Sequence, residues 1–278
     1  MMQPARNREG GRRARPVRLA LYHVLLLGSV FAFWYLMTEP LFWSEEAARN
    51  TAFFFGKPLL VLEKTWNWFA SGVIYEHLLV TLIETLLAFT IGTAAGLAVG
   101  LWLALSPTAS ALADPYIKAM NAMPRVILAP IFAVWFGLGI LSKVALGVTL
   151  VFFIVFFNVY QGVKEVSPVV LNNARMLGAS ARQLLRTVYV PSAMSWVFSS
   201  LHTSVGMAFV GAVVGEYLGS ARGVGYLILQ AEGAFDINTV FAGIIVLTAF
   251  ALALDSVVSF AERRLLVWRP AQGETERL

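Results

Sequence analysis

Residues 164–191 read KEVSPVVLNNARMLGASARQLLRTVYVP, and this polar interruption between two long apolar runs decides the fold. A chain that is apolar on both sides of such a segment is crossing a lipid bilayer and pausing to present roughly thirty residues to water. Within the segment, Ala174, Met176 and Leu177, then Ala181, Leu184, Leu185 and Val188, recur at helical spacing, with Arg175, Arg182 and Arg186 between them. Gly178 separates the two apolar groups, where a sharp bend between short helices needs a residue without a Cβ. Pro191 stands where a new helix is expected to begin, at a position where the missing N–H costs nothing. A basic amphipathic segment lying on lipid headgroups accounts for the arginines. It leaves the placed glycine and proline unexplained.

Composition agrees. Of 278 residues, 58% are hydrophobic and 13% charged, and the mean hydropathy is +0.72, which excludes a soluble domain. The chain reads as all-α and polytopic, with about six membrane helices in one domain over residues 19–265. There is no cysteine, so disulfides, thiol catalysis and cysteine metal sites are excluded. His23, His77 and His202 are far apart, and none forms a metal-spaced pair; each is expected at a helix end or in packing. No cofactor, metal or catalytic residue is expected, and nothing indicates nucleic acid.

Residues 1–18 carry six arginines and one glutamate, a pattern expected of a disordered basic tail on the cytoplasmic side. The run from Leu19 to Met37 is longer than a signal-peptide core of ~7–15 residues and reads as the first span. Residues 38–76 hold more acidic than basic groups, as suits an external segment. Here a turn at Gly56–Pro58 leads into an amphipathic helix. Gly56-Lys57 does not complete a phosphate loop, and no ATP site exists elsewhere.

A second span, from about Leu78 to Leu105, carries Gly92, Gly96 and Gly100, a smooth stripe for close helix packing. Glu84 lies about 9 Å inside it at ~1.5 Å per residue. It either lines a translocation route or bonds a neighbouring helix. Residues 106–125 read as a short internal loop. The following ILAPIFAVWFGLGILSK is too broken by Pro and Gly for a regular span, and the next span runs from about Val144 to Gln161, bringing Asn158 to its inner end. After Pro191 a span to about Gly215 carries Ser200, Thr203 and Ser204, a hydroxyl face suited to a polar path. Ser204 and His202, two apart on a helix, are not a catalytic pair. The glycine-rich 215–236 is external by alternation, and the last span covers about Asn238–Phe260, followed by a cytoplasmic tail over 266–278. Sixteen of the 21 Lys and Arg residues then fall on the inside, with both termini cytoplasmic.

The 164–191 segment resembles the EAA loop of the inner-membrane permeases of bacterial ABC importers. Aligned on Gly178, the chain offers Asn172, Asn173 and Ala174 at the start and Val188, Tyr189, Val190 and Pro191 at the end. Gly178 and Pro191 match, while Asn172-Asn173 replaces the acidic-Ala start. Met123-Pro124, Pro130, Trp135-Phe136-Gly137, Gly139 and Ser142-Lys143, with Glu216, Arg222, Gly223, Gly225 and Tyr226, resemble the nitrate, sulfonate and taurine subfamily.

The resemblance implies a type I ABC importer transmembrane fold in the bacterial inner membrane. It also implies a coupling loop carried by Asn172, Asn173, Ala174, Gly178, Arg182, Val188 and Pro191. The implied partners are two cytoplasmic ATPase subunits, a second permease copy and an extracytoplasmic solute-binding protein. The implied cargo is a small organic anion such as a sulfonate, taurine or nitrate, or a vitamin precursor. A path through Glu84, Asn158, Ser200, Thr203 and Ser204 is the matching expectation. An ion-coupled secondary transporter would also explain the spans, but would usually show an inverted repeat, which is not found. An intramembrane enzyme would need clustered ionisable groups at one depth, whereas Glu84 and Asp255 are placed near opposite faces.

Overall fold

The computed structural model describes residues 10–265, and every regular element among them is helical. In chain order these are α1 (Gly10–Thr38), α2 (Glu45–Phe55), α3 (Pro58–Ser71), α4 (Val73–Leu105), α5 (Pro107–Ala122), a 3-10 turn (Arg125–Ile127), α6 (Leu128–Phe136) and α7 (Ile140–Lys164). There follow α8 (Pro168–Met176), α9 (Ala181–Leu184), a π turn (Leu185–Tyr189), α10 (Val190–Ser199), α11 (Leu201–Gly219), α12 (Val224–Gly233) and α13 (Ile237–Leu265). Five stretches are long and apolar enough to cross a membrane: Leu21–Thr38, Val73–Leu105, Ile140–Lys164, Leu201–Gly233 and Ile237–Glu262. A sixth candidate is the pair Pro107–Ala122 and Arg125–Phe136, bent by 78°.

Two expectations need correction. Residues 10–18, read as an unfolded tail, are the first turns of α1; residues 1–9 and the tail over 266–278 lie outside the described residues. Residues 107–122, read as a loop, form α5. Its Pro107 sits at the start, where a proline is harmless, and Pro115 lies in its interior. Pro191 stands in the first turn of α10, where a helix start was expected. A π turn in which Val190 N–H reaches Leu185 O precedes it, so the chain is already helical from Ala181. The wider turn accommodates a residue that would otherwise break the i to i−4 ladder.

The chain divides into two compact units. The first holds the chain up to Ala70 and Ala231–Ala242. In it Gly56 ends α2 at φ +67°, and a Cβ there would lie 3.1 Å from Asn238 Oδ1. The same Asn238 oxygen accepts the Lys57 N–H at 2.7 Å. Trp34 Nε1 donates to Phe55 O at 3.1 Å, and Lys57 pairs with Glu39 at 3.0 Å. Asp236 accepts from Thr239 N–H and hydroxyl at 3.1 and 2.7 Å and pairs with Lys64 at 3.1 Å. Burial pushes its carboxyl up, but the Thr239 and Lys64 hydrogen bonds outweigh that and hold it below the usual aspartate value.

The second unit, Ser71–Gln230 and the chain from Gly243 on, is built on α4, α7 and α11. The glycine stripe of α4 faces Val151, Val155 and Val159 of α7. A Cβ on Gly96 would lie 2.8 Å from Phe152 O, and one on Gly211 of α11 would lie 2.5 Å from Gly147 Cα. Backbones therefore touch at two points, and Ala88, Val151, Val155, Val159 and Ala208 fill the seam. In lipid, where apolar association has no water to escape, such close approach is what holds helices together.

Replacing Gly96 by Leu should therefore cost at least about 1–3 kcal/mol through overpacking. A lower melting temperature in detergent and loss of the monodisperse peak on size exclusion would report it. Gly28→Leu, where nothing lies within 4 Å of the new Cβ, should leave both unchanged.

Candidate functional site

The segment between α7 and α11 is a bent pair of helices whose shape is written in its backbone. Pro168 opens α8, and at its end Ala179 N–H reaches Ala174 O at 3.0 Å while Gly178 N–H reaches Arg175 O at 2.9 Å. This double closure needs the left-handed conformation that Gly178 adopts at φ +81°. Ser180 then caps α9 reciprocally: its Oγ accepts from Gln183 N–H at 3.3 Å and Gln183 Oε1 accepts from Ser180 N–H at 2.8 Å. Leu184 turns inward, whereas Met176 and Leu177, at the bend, are 85% and 89% exposed. Asn172, Asn173, Gly178, Arg182 and Pro191 are exposed, and Ala174 and Val188 half-buried. On the far side Ser192 Oγ donates to Gly162 O at 2.8 Å and Trp196 packs on Gly162, tying α10 to α7.

A second polar group lies at the other end of the bundle. Glu84 of α4, Lys143 of α7 and Glu216 of α11 are each no more than 1% exposed. Glu216 Oε1 accepts from the Thr81 hydroxyl at 2.6 Å and Oε2 from Gly225 N–H at 2.7 Å. Thr81 Oγ accepts from Val224 N–H at 3.3 Å, and His77 Nδ1 accepts from Gly223 N–H at 3.0 Å. The glycine-rich turn after α11 is thereby nailed to α4. A Cβ on Gly223, whose φ is +105°, would collide with the Glu216 carboxyl. Glu84 stands beside Glu216, and Lys143 is the cation near both. Its Nζ donates to Leu138 O at 2.6 Å and Gly139 O at 3.1 Å. One proton held between the two carboxyl groups would leave one carboxylate against one ammonium, a balanced group.

The residues expected along a path are not brought together. Glu84 joins this cluster, whereas Ser204 lies twelve residues from Glu216 on α11, about 18 Å at ~1.5 Å per residue. Ser204 is buried and its Oγ has no partner, Ser200 bonds back to Val197 O at 3.0 Å where α10 breaks from α11, and Thr203 is exposed. Asn158 bonds to Ile154 O of its own helix at 2.8 Å. The sequence reading missed Lys143, placed outside the membrane, and the buried role of Glu216. Glu216 directly follows Gly215 and Lys143 lies four residues after Gly139, each at the end of an apolar run, the one available signal. His202, expected at a helix end or in packing, stands at the start of α11 and bridges it to α13 through Asp255 at 2.8 Å and Glu262 at 2.9 Å.

Residues 92–267 match the family model described as binding-protein-dependent transport system inner membrane component. The chain belongs to this family. The permease is 33% identical over 199 residues, 72% of either chain, to a Bacillus subtilis (strain 168) protein named for aliphatic sulfonates transport, SsuC. It is 30% identical over 220 residues to the taurine transport system permease protein TauC of Escherichia coli (strain K12), covering 77% of the permease and 80% of its relative. Its fold is similar to a chain of the MetNI methionine ABC transporter in an inward-facing conformation, with a TM-score of 0.59 at 17% identity over 69% of the permease and 94% of that chain. The permease is thus a multi-pass membrane subunit of an ABC importer with the type I transmembrane fold, and membership implies ATPase and binding-protein partners. Neither comparison supports the ion-coupled alternative.

Breaking the buried cluster by Glu216→Leu should cost about 1–3 kcal/mol, because Gly225 N–H and the Thr81 hydroxyl lose an acceptor while Glu84 remains to face Lys143. Thermal unfolding in detergent measures this. Arg222→Gln removes only an exposed ion pair with Glu76 and should stay within about 0.5 kcal/mol of wild type.

Proposed function

We propose that the bent segment over 164–191 is the surface through which this permease is driven, by seating in a groove of a cytoplasmic ATPase subunit. The observation that carries this is the pair Met176 and Leu177, large apolar side chains more than 80% exposed at the apex of a rigid bend between membrane helices. An apolar pair held out to water by a built turn suits a protein partner. The arginines around it fit the cytoplasmic side, and with them both termini lie in the cytoplasm.

Two permease copies would receive two ATPase subunits, and closing of the ATPase pair would draw the two bends together. The helical stretch from Ala181 to Ser199, anchored on Gly162, would carry that displacement to α7 and α11. The bundle would alternate between inward-facing and outward-facing states as a rigid body. Hydrolysis belongs to the partner; this chain catalyses nothing itself. A binding protein delivers the solute on the opposite face. The cargo is a small organic anion of the sulfonate kind, by likeness to the relatives named above.

Tagged permease purified from its native membrane should bring an ATPase subunit with it. Leu177→Glu, which leaves the Gly178 bend intact, should insert normally yet lose that subunit, and Gly178→Asp should do the same. Undiminished ATPase recovery with Leu177→Glu would sink the docking assignment.

A further inference from the structure

Where α10 breaks from α11 at Ser200, far along α11 from Glu216, His202 stands between two carboxylates of α13. Its Nδ1 meets Asp255 Oδ1 at 2.8 Å and its Nε2 meets Glu262 Oε2 at 2.9 Å. Asp255 and Glu262 lie two turns apart on one face of α13, about 10 Å at ~1.5 Å per residue. One imidazole ring therefore staples two turns of α13 to the first turn of α11. What else joins these helices is slight. Phe209 and Phe250 meet at 6.0 Å between ring centroids, and a cavity of about 50 Å3 lies between the helices, lined by His202, Phe209, Leu254 and Asp255 among others. Leu252, Val257 and Phe260 of α13 are exposed.

Two such bonds need two protons. A carboxylate brings none and a neutral imidazole one, so both bonds stand together only while the group holds one proton more. The imidazole is the strongest base of the three and carries that proton as imidazolium. Without it, one ring nitrogen turns a lone pair toward a carboxylate, and attraction becomes repulsion. The three side chains are 28–60% exposed, so protons reach them from water. Among the described residues no other charge acts on the ring. Lys164 of α7 lies over Tyr160, Glu165 is taken by Gln161 and Arg264 lies over Phe260. At this end α4, α6 and α10 bring no acidic or basic side chain.

We propose that His202, Asp255 and Glu262 form a proton-operated clasp that locks α13 to α11 at the joint with α10. Loss of the proton opens one arm of the clasp and frees this part of α13. The joint matters because the helical stretch from Ala181 to Ser199 enters α11 there. On the docking role proposed above, on which this consequence rests, the proton decides whether α13 moves with α11 when the bent segment is driven. The permease then answers to pH on the side that faces the ATPase.

The chain has no cysteine, so spin labels on Thr203→Cys and Val257→Cys, both exposed positions, read the clasp directly. Distances are measured by double electron–electron resonance on purified permease in lipid nanodiscs, at about pH 5.5 and about pH 9.5, on either side of the ordinary imidazole value near 6.5. The labelled pair should give one narrow distance at the lower pH and a broader, longer distribution at the higher. Adding His202→Ala should make it broad at both. Adding Asp255→Asn should keep it narrow at both, because a neutral imidazole can donate from Nε2 to Glu262 and accept the new amide N–H at Nδ1. Asp255 is exposed, so this variant folds and keeps the test decisive even where His202→Ala does not. A distance that ignores pH with His202, Asp255 and Glu262 in place, or a pH response that persists in Asp255→Asn, would each overturn the clasp. ATPase recovery from native membranes separates the two readings. Normal recovery with a distance that ignores pH refutes the clasp alone, and a pH-dependent distance without ATPase recovery refutes the docking role alone.

Discussion

The permease depends first on backbone meeting backbone. Lipid offers no hydrophobic reward for pressing two apolar helices together, so α4, α7 and α11 must gain their cohesion from contact itself. Glycines at 92, 96, 100, 147 and 211 remove the side chains that would hold the helices apart, and valines across the seam fill what remains. Two polar groups of the second unit stand at the two ends of this seam. One is the Glu84, Lys143 and Glu216 group. The other is the Ser192 to Gly162 tie, beside the bent segment.

That division explains how charges survive in a membrane core. No member of the buried group stands alone: two carboxyl groups lie side by side with one ammonium near both, and backbone N–H and C=O groups bond Glu216 and Lys143. Such a group contributes little net stability compared with an apolar replacement, but it fixes which helix faces which. The glycine-rich turn over 220–225 is held by one of these carboxyl groups, so a surface loop and a buried charge meet in one residue, Glu216.

Much of this was legible in the residues. The polar segment, its bend at Gly178, the glycine stripe and the number of spans all follow from periodicity and composition, because each is a local pattern. What escaped was non-local or cooperative. Lys143 looked like the external end of a broken helix, since nothing in the sequence says that Leu138 and Gly139 carbonyls will fold back over its ammonium. Residues 107–122 looked like a loop because Pro and small polar residues dominate them, yet their prolines fall where α5 tolerates them. Pro191 stands in the first turn of α10 as its residue type suggests, but the π turn that joins α9 to α10 ahead of it leaves no mark in the composition.

The bend at Gly178 is closed by backbone bonds, one glycine and one Ser–Gln exchange, and the side chains of Asn172, Asn173, Met176 and Leu177 take no part in it. Its outer face is consequently free to drift in sequence while its angle stays fixed. On the docking role proposed above, a permease built this way would change which ATPase it accepts by altering Met176, Leu177, Asn172 or Asn173, without altering the stroke that the ATPase delivers. Partner choice and mechanical geometry would then be inherited separately, and a membrane subunit could be re-paired in evolution at the cost of a few surface residues.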